Sequence, residues 1–334
     1  WSQRDYYSLA AFFSQIGRKP SSTPEEEVIF HKRGIAQAEN KKTKQQVRPA
    51  GLGAQPLEIA PDEDPRLRLA DWMSDKTNPF FAKALVNRYW KHFFRRGLVD
   101  PEDDIRETNP PTNPELLDAL ASKFVQSGYD LKGLIRTITQ STVYQLSSTP
   151  NAHNEIDQQN FSRYYPRRLP AEVLLDAIDG LTGVPTNFPD LPSGTRATSL
   201  PDNSYNRTTA LLKVFGRPEG LSVCECERVD SASLAQSLHL LNSADIKGKL
   251  SGAKGSAEQL LKANGTDADK IRSLYFTAFS RPPSADESQQ AEEYLTRPVT
   301  DARGEPVDPL KAKRISLEDL IWALMNAKEF LYNH

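Results

Sequence analysis

Asn78-PFFAKALVNRYWKHFFRR-Gly97 decides the fold class. Asparagine before proline supplies an N-cap followed by a residue whose fixed φ suits the first helical turn. Glycine at 97 is placed to stop what lies between. The same device recurs on either side. Asp64-Pro65 opens PRLRLADWMSD, and Asn113-Pro114 opens PELLDALASKFVQS, which Gly128 stops. Asp130 then caps LKGLIRTITQSTVYQL, so residues 64–147 are expected to form a compact unit of four helices.

Toward the N-terminus, Ser2 with Asp5 caps an amphipathic helix over 1–17 that Gly17 would end. Residues 18–63 lose periodicity and read as a linker or a wrapping arm. Toward the C-terminus, 148–168 is a polar connector ending in SRYYPRR, and Pro170 opens AEVLLDAIDGL. A proline-rich stretch over 181–210 follows, of a length that is uncommon in compact domains without a function. Asp230 and Ser231 offer caps for ASLAQSLHLLNS. Further helices are expected near 268–279, 285–296 and 317–331, with Ser284/Glu287 and Ser316/Asp319 as capping boxes. TALLKVF and LSVCECERV are the segments that pass as short strands. The expected class is mainly α: multi-helix, bundle-like lobes with long irregular loops and at most a few short strands. The C-terminal lobe spans 148–334 and carries the 181–230 loop.

A chain of 334 residues exceeds the usual size of one core, which sets two lobes as the expectation. Its 42 basic and 44 acidic residues leave a net charge of −2, so no global field steers it to nucleic acid or anionic lipid. No apolar stretch approaches the ~20 residues of a membrane span, and a water-soluble protein is expected. Two cysteines do not make a disulfide framework.

Both cysteines fall in Cys-Glu-Cys-Glu-Arg, 224–228. In an extended segment Cys224, Cys226 and Arg228 share one face, while Glu225 and Glu227 take the other. Three readings stand side by side. The first is a pinned structural loop whose carboxylates pair with Arg217 and Arg228. The second is a redox-labile disulfide, the third a thiolate pair on a soft metal. Glu225 and Glu227 are also the carboxylates to nominate for acid–base chemistry, although no nucleophile, base and orienter accompany them. Asp100 to Asp104 reads as a solvated turn. A cationic face formed by Arg88, His92 and Arg96 complements its helix dipole, and with Arg163, Arg167 and Arg168 it is a candidate anion pocket. His239 reads as a core histidine, His31 and His153 as exposed ones, and His334 closes the EFLYNH ending. No metal-ligand pattern, Gly-rich phosphate loop or nucleophile elbow is present.

Four strings in order, NPFFAKALVNRYWKHFFRRGLVDPEDDIRETNPPTNPELLDAL, FGRPEGLSVCECERVDSASLAQSLHLLNS, SLYFTAFSRPPSADE and EFLYNH, resemble a planctomycete-type domain of unknown function. In that family the domain follows a cytochrome-like domain in large exported bacterial proteins. SQRDYYSLAAFFSQIG resembles the tail of that preceding domain. The resemblance implies a periplasmic or cell-surface location and a cytochrome-like domain or chain as partner. It also implies haem c in an upstream segment rather than here, since Cys-x-x-Cys-His is absent. Relatives typically carry Gly at the position of Arg95, and often His at that of Asn113. The function expected is a non-catalytic helical scaffold or binding module. The rivals are an extracellular enzyme or redox partner acting on polysaccharide near Cys224–Arg228, and a building block of a surface assembly. Polysaccharide or another anionic ligand is the expected small partner.

Overall fold

The structure is a computed structural model that describes residues 1–22, 27–219 and 233–333. It is predominantly α-helical with only short antiparallel strand pairs, the class that the sequence leads one to expect. The chain divides into two compact units, Trp1–Tyr164 and Tyr165–His334.

In the first unit, α1 (Gln3–Ala11) begins at a reciprocal capping box between Ser2 and Asp5. It ends well short of Gly17, which lies instead in β1 (Ile16–Pro20), paired antiparallel with β2 (Glu27–His31). The Phe30 ring covers Gly17 so closely that a Cβ there would sit 2.4 Å from a ring carbon. That glycine is thus a packing requirement across a ladder rather than a helix stop. A second ladder joins β3 (Ala38–Glu39) to β4 (Gln46–Val47). Strand β2 is exposed along nearly its whole length, so no alternation of buried and exposed residues marks it in the sequence.

Helix α2 (Pro65–Ser74) starts at Asp64, whose carboxylate accepts from the Arg66 N–H. Helix α3 (Phe81–Phe94) starts later than the Asn-Pro signal indicates. The Asn78 Oδ1 accepts from the N–H groups of Phe80 (2.8 Å) and Phe81 (2.9 Å), so it organises a turn ahead of the helix. The helix also stops before Gly97, at Arg95 in the left-handed region with φ 68°. Beyond it, Asn87 of α3 is fully buried. Its Nδ2 donates to the Val99 carbonyl (2.8 Å) and its Oδ1 accepts from the Val99 N–H (2.9 Å). A Cβ at Gly97 would meet the Val99 oxygen at 2.2 Å, so only glycine lets the chain pass there. Helices α4 (Pro114–Gln126) and α5 (Leu131–Thr139) pack on α3, and Val86, Trp90, Phe94, Leu117, Phe124 and Ile138 form the core between them. Residues 148–164 belong to this unit. Phe161 stands edge-on to Trp90 and Phe94, and the Tyr164 hydroxyl donates to the Phe93 carbonyl.

The second unit is built around α6 (Ala171–Thr182). Ala171, Leu174, Leu175, Ile178 and Leu181 recur at helical spacing, and each is at most 1% exposed. Burying each of the leucine and isoleucine side chains contributes roughly 1.5–3 kcal/mol. TALLKVF is α7 (Ala210–Val214), not a strand. Thr209 caps it by accepting from the Leu211 N–H, and Leu211 and Leu212 face the core. Helix α8 (Leu234–Asn242) opens on a capping box made by Ser233 and Gln236. The next two helices, α9 (Ala244–Leu250) and α10 (Ser256–Lys262), have no counterpart in the sequence reading. Helices α11 (Asp267–Phe279) and α12 (Ala285–Thr296) fall where expected, each on a capping box. Helix α13 (Pro309–Met325) starts earlier than 317, from an Asp308-Pro309 pair. Ser316 is therefore a buried mid-helix residue and not a cap. Helix α14 (Lys328–Leu331) leads into β6 (Tyr332–Asn333), which pairs with β5 (Arg167–Arg168).

Candidate functional site

Cys224, Glu225, Cys226, Glu227 and Arg228 lie outside the described residues, as do Asp230, Ser231, His334 and the strand expected at LSVCECERV. The chain leading into them is described. Phe215-Gly-Arg-Pro218 follows α7, and Gly216 takes φ 80°, which frees the chain to turn there. Arg217 is 7% exposed. Its Nη1 donates to Asn206 Oδ1 (2.8 Å), its Nη2 to the Asp202 carbonyl (3.1 Å), and its Nε lies 3.4 Å from Glu172 Oε1 of α6. Asn206 returns the tie by donating to the Pro218 carbonyl at 2.9 Å. Arg168 closes the other side of the same turn. It donates to the Phe215 carbonyl (3.2 Å) and to Gln236 of α8, with its guanidinium 5.3 Å from the Phe215 ring centroid. Gln236 in turn donates to the Val214 carbonyl. Four of these hydrogen bonds end on backbone carbonyls, those of Asp202, Val214, Phe215 and Pro218, and the side-chain contacts supply the further acceptors that a buried guanidinium needs.

The cationic face of α3 is met by the acidic run that follows it. Lys91 pairs with Glu102 at 2.5 Å, Arg88 pairs with Asp103, and Arg96 lies 3.9 Å from Asp100. The segment read as a solvated turn therefore folds back over the helix. Burial raises the Glu102 pKa, but the Lys91 hydrogen bond and charge outweigh it and leave the carboxyl below its ordinary range. Of the other predicted anion ligands, Arg163 donates to the Ser148 carbonyl, while Arg167 and Arg168 are β5 residues of the second unit. His92 stands edge-on to Phe93. His239 is half-buried and its Nε2 has no partner, so it is not the hydrogen-bonded core histidine the sequence suggests. Burial holds that imidazole below its usual pKa, and Asp245 pulls the other way. His31 is half-buried rather than exposed, and His153 is exposed.

Sequence reasoning missed three features. The first is a buried ion pair: Lys249 Nζ reaches Asp179 Oδ1 (2.7 Å), Thr186 Oγ1 (2.9 Å) and the Val184 carbonyl (3.1 Å). The second is Asp157, which accepts from the N–H groups of Gln159, Asn160 and Ser162 and from the Ser162 hydroxyl. Burial there disfavours the charged carboxylate, yet these donors outweigh burial and hold the pKa far below the usual range. The third is a cleft of about 450 Å³ in the first unit. Its floor is Trp90, Leu98, Leu120, Ile138 and Phe161, and its rim is Thr112, Asn113, Gln159 and Asn160. Only the Asp157 knot had a local signal, an Asp followed at short spacing by Asn and Ser. The ion pair joins residues 70 apart, and no window of sequence displays that.

Among the described residues, no group of three His, Cys, Asp or Glu side chains is placed to hold a metal ion. No described helix is long and apolar enough to cross a membrane. Residues 65–295 match the family model described as PSD1, a protein of unknown function (DUF1553). No curated protein and no solved structure matches the chain.

Proposed function

We propose, from the premise that the chain belongs to the PSD1 (DUF1553) family, that it is a non-catalytic helical module. It binds and positions a ligand or a neighbouring domain within a larger exported protein. The observation that carries this reading is the use made of Arg217. The one arginine of the FGRP turn is buried and engaged by Glu172, Asn206 and the Asp202 carbonyl, which leaves the turn a rigid mount. Arg88 and Lys91 of α3, with Arg96 just beyond it, are likewise engaged by the carboxylates of 100–103. Catalytic sites concentrate ionisable groups whose pKa values are pushed toward the working pH; the carboxylate next to α3 is pushed the other way. The resemblance of residues 1–17 to the tail of a cytochrome-like domain supports such a domain as the neighbour, and with it a periplasmic or surface location.

The test is a turnover assay on intact chain. With cello- and manno-oligosaccharides as probes, no new reducing ends are expected on prolonged incubation. Glu172→Gln is expected to lower the unfolding midpoint. Product release that Glu172→Gln abolishes with the midpoint unmoved would make the enzyme reading correct and this one wrong.

A further inference from the structure

The cleft of the first unit has a lining of unusual electrical character for this chain. One residue in four of the protein is charged, 26% in all, yet among the described residues that line the cleft there is no Asp, Glu, Lys, Arg or His. An ionic ligand buried there would lose water without gaining a countercharge. The ligand that fits is uncharged.

Its polar groups divide into donors and acceptors. Thr112, Thr137 and Ser141 each donate their hydroxyl proton to a backbone carbonyl, of Leu98 (3.3 Å), Gly133 (2.8 Å) and Ile138 (2.6 Å). What they retain toward the cleft is acceptor capacity. Asn113 is the opposite case. Its Oδ1 is taken by the Leu116 N–H at 2.9 Å, so its amide NH₂ remains as donor. The exposed Gln159 side chain brings one group of each kind. In the wall, Trp90 is 2% exposed and its indole N–H has no hydrogen-bond partner. Buried polar groups are nearly always paired, so this unpaired donor beside a cavity is a second and independent mark of a ligand position.

An apolar, aromatic floor under interleaved donors and acceptors matches a ring with one C–H face and several hydroxyls at its edge. Each hydroxyl can donate and accept at once, and the C–H face suits the Trp90 and Phe161 surface. We propose that this cleft is a binding site for neutral saccharide, with Gln159, Asn160 and Asn113 at its rim and Trp90 and Phe161 beneath. The rim is ordered by Asp157, which accepts from the N–H groups of Gln159 and Asn160 and from the Asn160 side-chain amide (3.2 Å), leaving the Gln159 amide group and the Asn160 carbonyl oxygen for a ligand. This deepens the binding-module reading and rests on it.

Titration calorimetry on the intact chain, with cellotetraose and mannotetraose as neutral probes and tetragalacturonate as the charged one, tests the site. Saturable binding of at least one neutral tetraose is expected, and no binding of tetragalacturonate. Gln159→Ala, at an exposed position, is expected to weaken the neutral association about 5-fold, the loss of roughly one hydrogen bond, with an unchanged unfolding midpoint. Trp90→Phe is expected to weaken it as well. No binding of either neutral tetraose at 10-fold excess over ~1 mM overturns the proposal, as does equal binding of the charged one or indifference to Gln159→Ala. Chromatography of the same samples separates the two readings. Cleaved tetraose refutes the non-catalytic module while leaving the cleft as binding site. Absence of both cleavage and binding refutes the saccharide site alone.

Discussion

Arg281 grips Glu329 through two parallel hydrogen bonds, Nε to Oε1 and Nη2 to Oε2, each 2.7 Å long. The same guanidinium grips Glu287 with its remaining N–H groups at 2.8 and 2.9 Å. It thereby ties the turn after α11 to the first turn of α12 and to α14, and packs against Tyr275 and Phe279. Planar, bidentate geometry of this kind is specific to arginine. Arg281→Lys is expected to destabilise the protein by about 1–2 kcal/mol, discounted from a buried pair because the cluster is about one-third exposed. Urea unfolding of Arg281→Lys, Glu329→Gln and the double variant checks it. Strict additivity of the two losses would show that no coupling exists.

The same cluster sets an acid limit. The Arg281 hydrogen bond beside Glu287 holds its carboxyl down to about 2, against an ordinary 4.5. A depressed folded-state pKa contributes stability above the unfolded value, and that contribution is lost as pH falls from about 4.5 toward about 2. Glu287→Gln preserves the capping box with Ser284 and removes only the charge. Its unfolding midpoint is expected to be lower than the parent's at pH 7 and to converge on it by pH 2. Parallel profiles across that window would contradict the assignment.

Lys249 offers a sharper contrast. Its ammonium is 5% exposed and bound on three sides. Removing one partner of such a pair strands the other, so Lys249→Met is expected to cost about 3–5 kcal/mol. Combining it with Asp179→Leu is expected to recover part of that loss, although Asp179 also accepts from the Thr186 N–H. Guanidinium denaturation of the three variants measures both; a double variant no better than Lys249→Met counts against the ion-pair account.

Arg95 ends α3 at φ 68°, a conformation that costs a non-glycine residue roughly 1–2 kcal/mol. Glycine has no such penalty. Arg95→Gly is expected to raise stability by about 0.5–1 kcal/mol, readable as a higher thermal midpoint. A lower midpoint would show that the arginine side chain contributes more than its backbone costs.

The helices are legible where residues adjacent in sequence make the contact. Asp64, Asn113 and Ser284 each cap the helix expected of them. Legibility fails where a partner is distant. Asn78 looks like a cap and makes a turn, because its oxygen accepts from the N–H groups of Phe80 and Phe81, where the chain only enters α3. Gly17 looks like a helix stop and instead admits the ring of Phe30, a neighbour visible only once β1 and β2 pair. TALLKVF has the composition of a strand, but burial of Leu211 and Leu212 at adjacent positions is what a helix facing α6 needs. The cleft illustrates the same limit. Trp90, Asn113 and Gln159 stand far apart in the chain, and nothing local announces that they line one surface.

Strands β5 and β6 pair Arg167 with Asn333 and Arg168 with Tyr332, and the Leu169 N–H donates to the Leu331 carbonyl at 2.9 Å. The segments 167–169 and 331–333 of the second unit thus run side by side, about 5 Å apart. A unit with that property can be lifted out and spliced into a surface loop of another protein, or rejoined end to end and reopened elsewhere, without stretching its core. Reopened at the exposed turn over 301–304, such a circular permutant keeps α6 and its neighbours in their original order around the same centre.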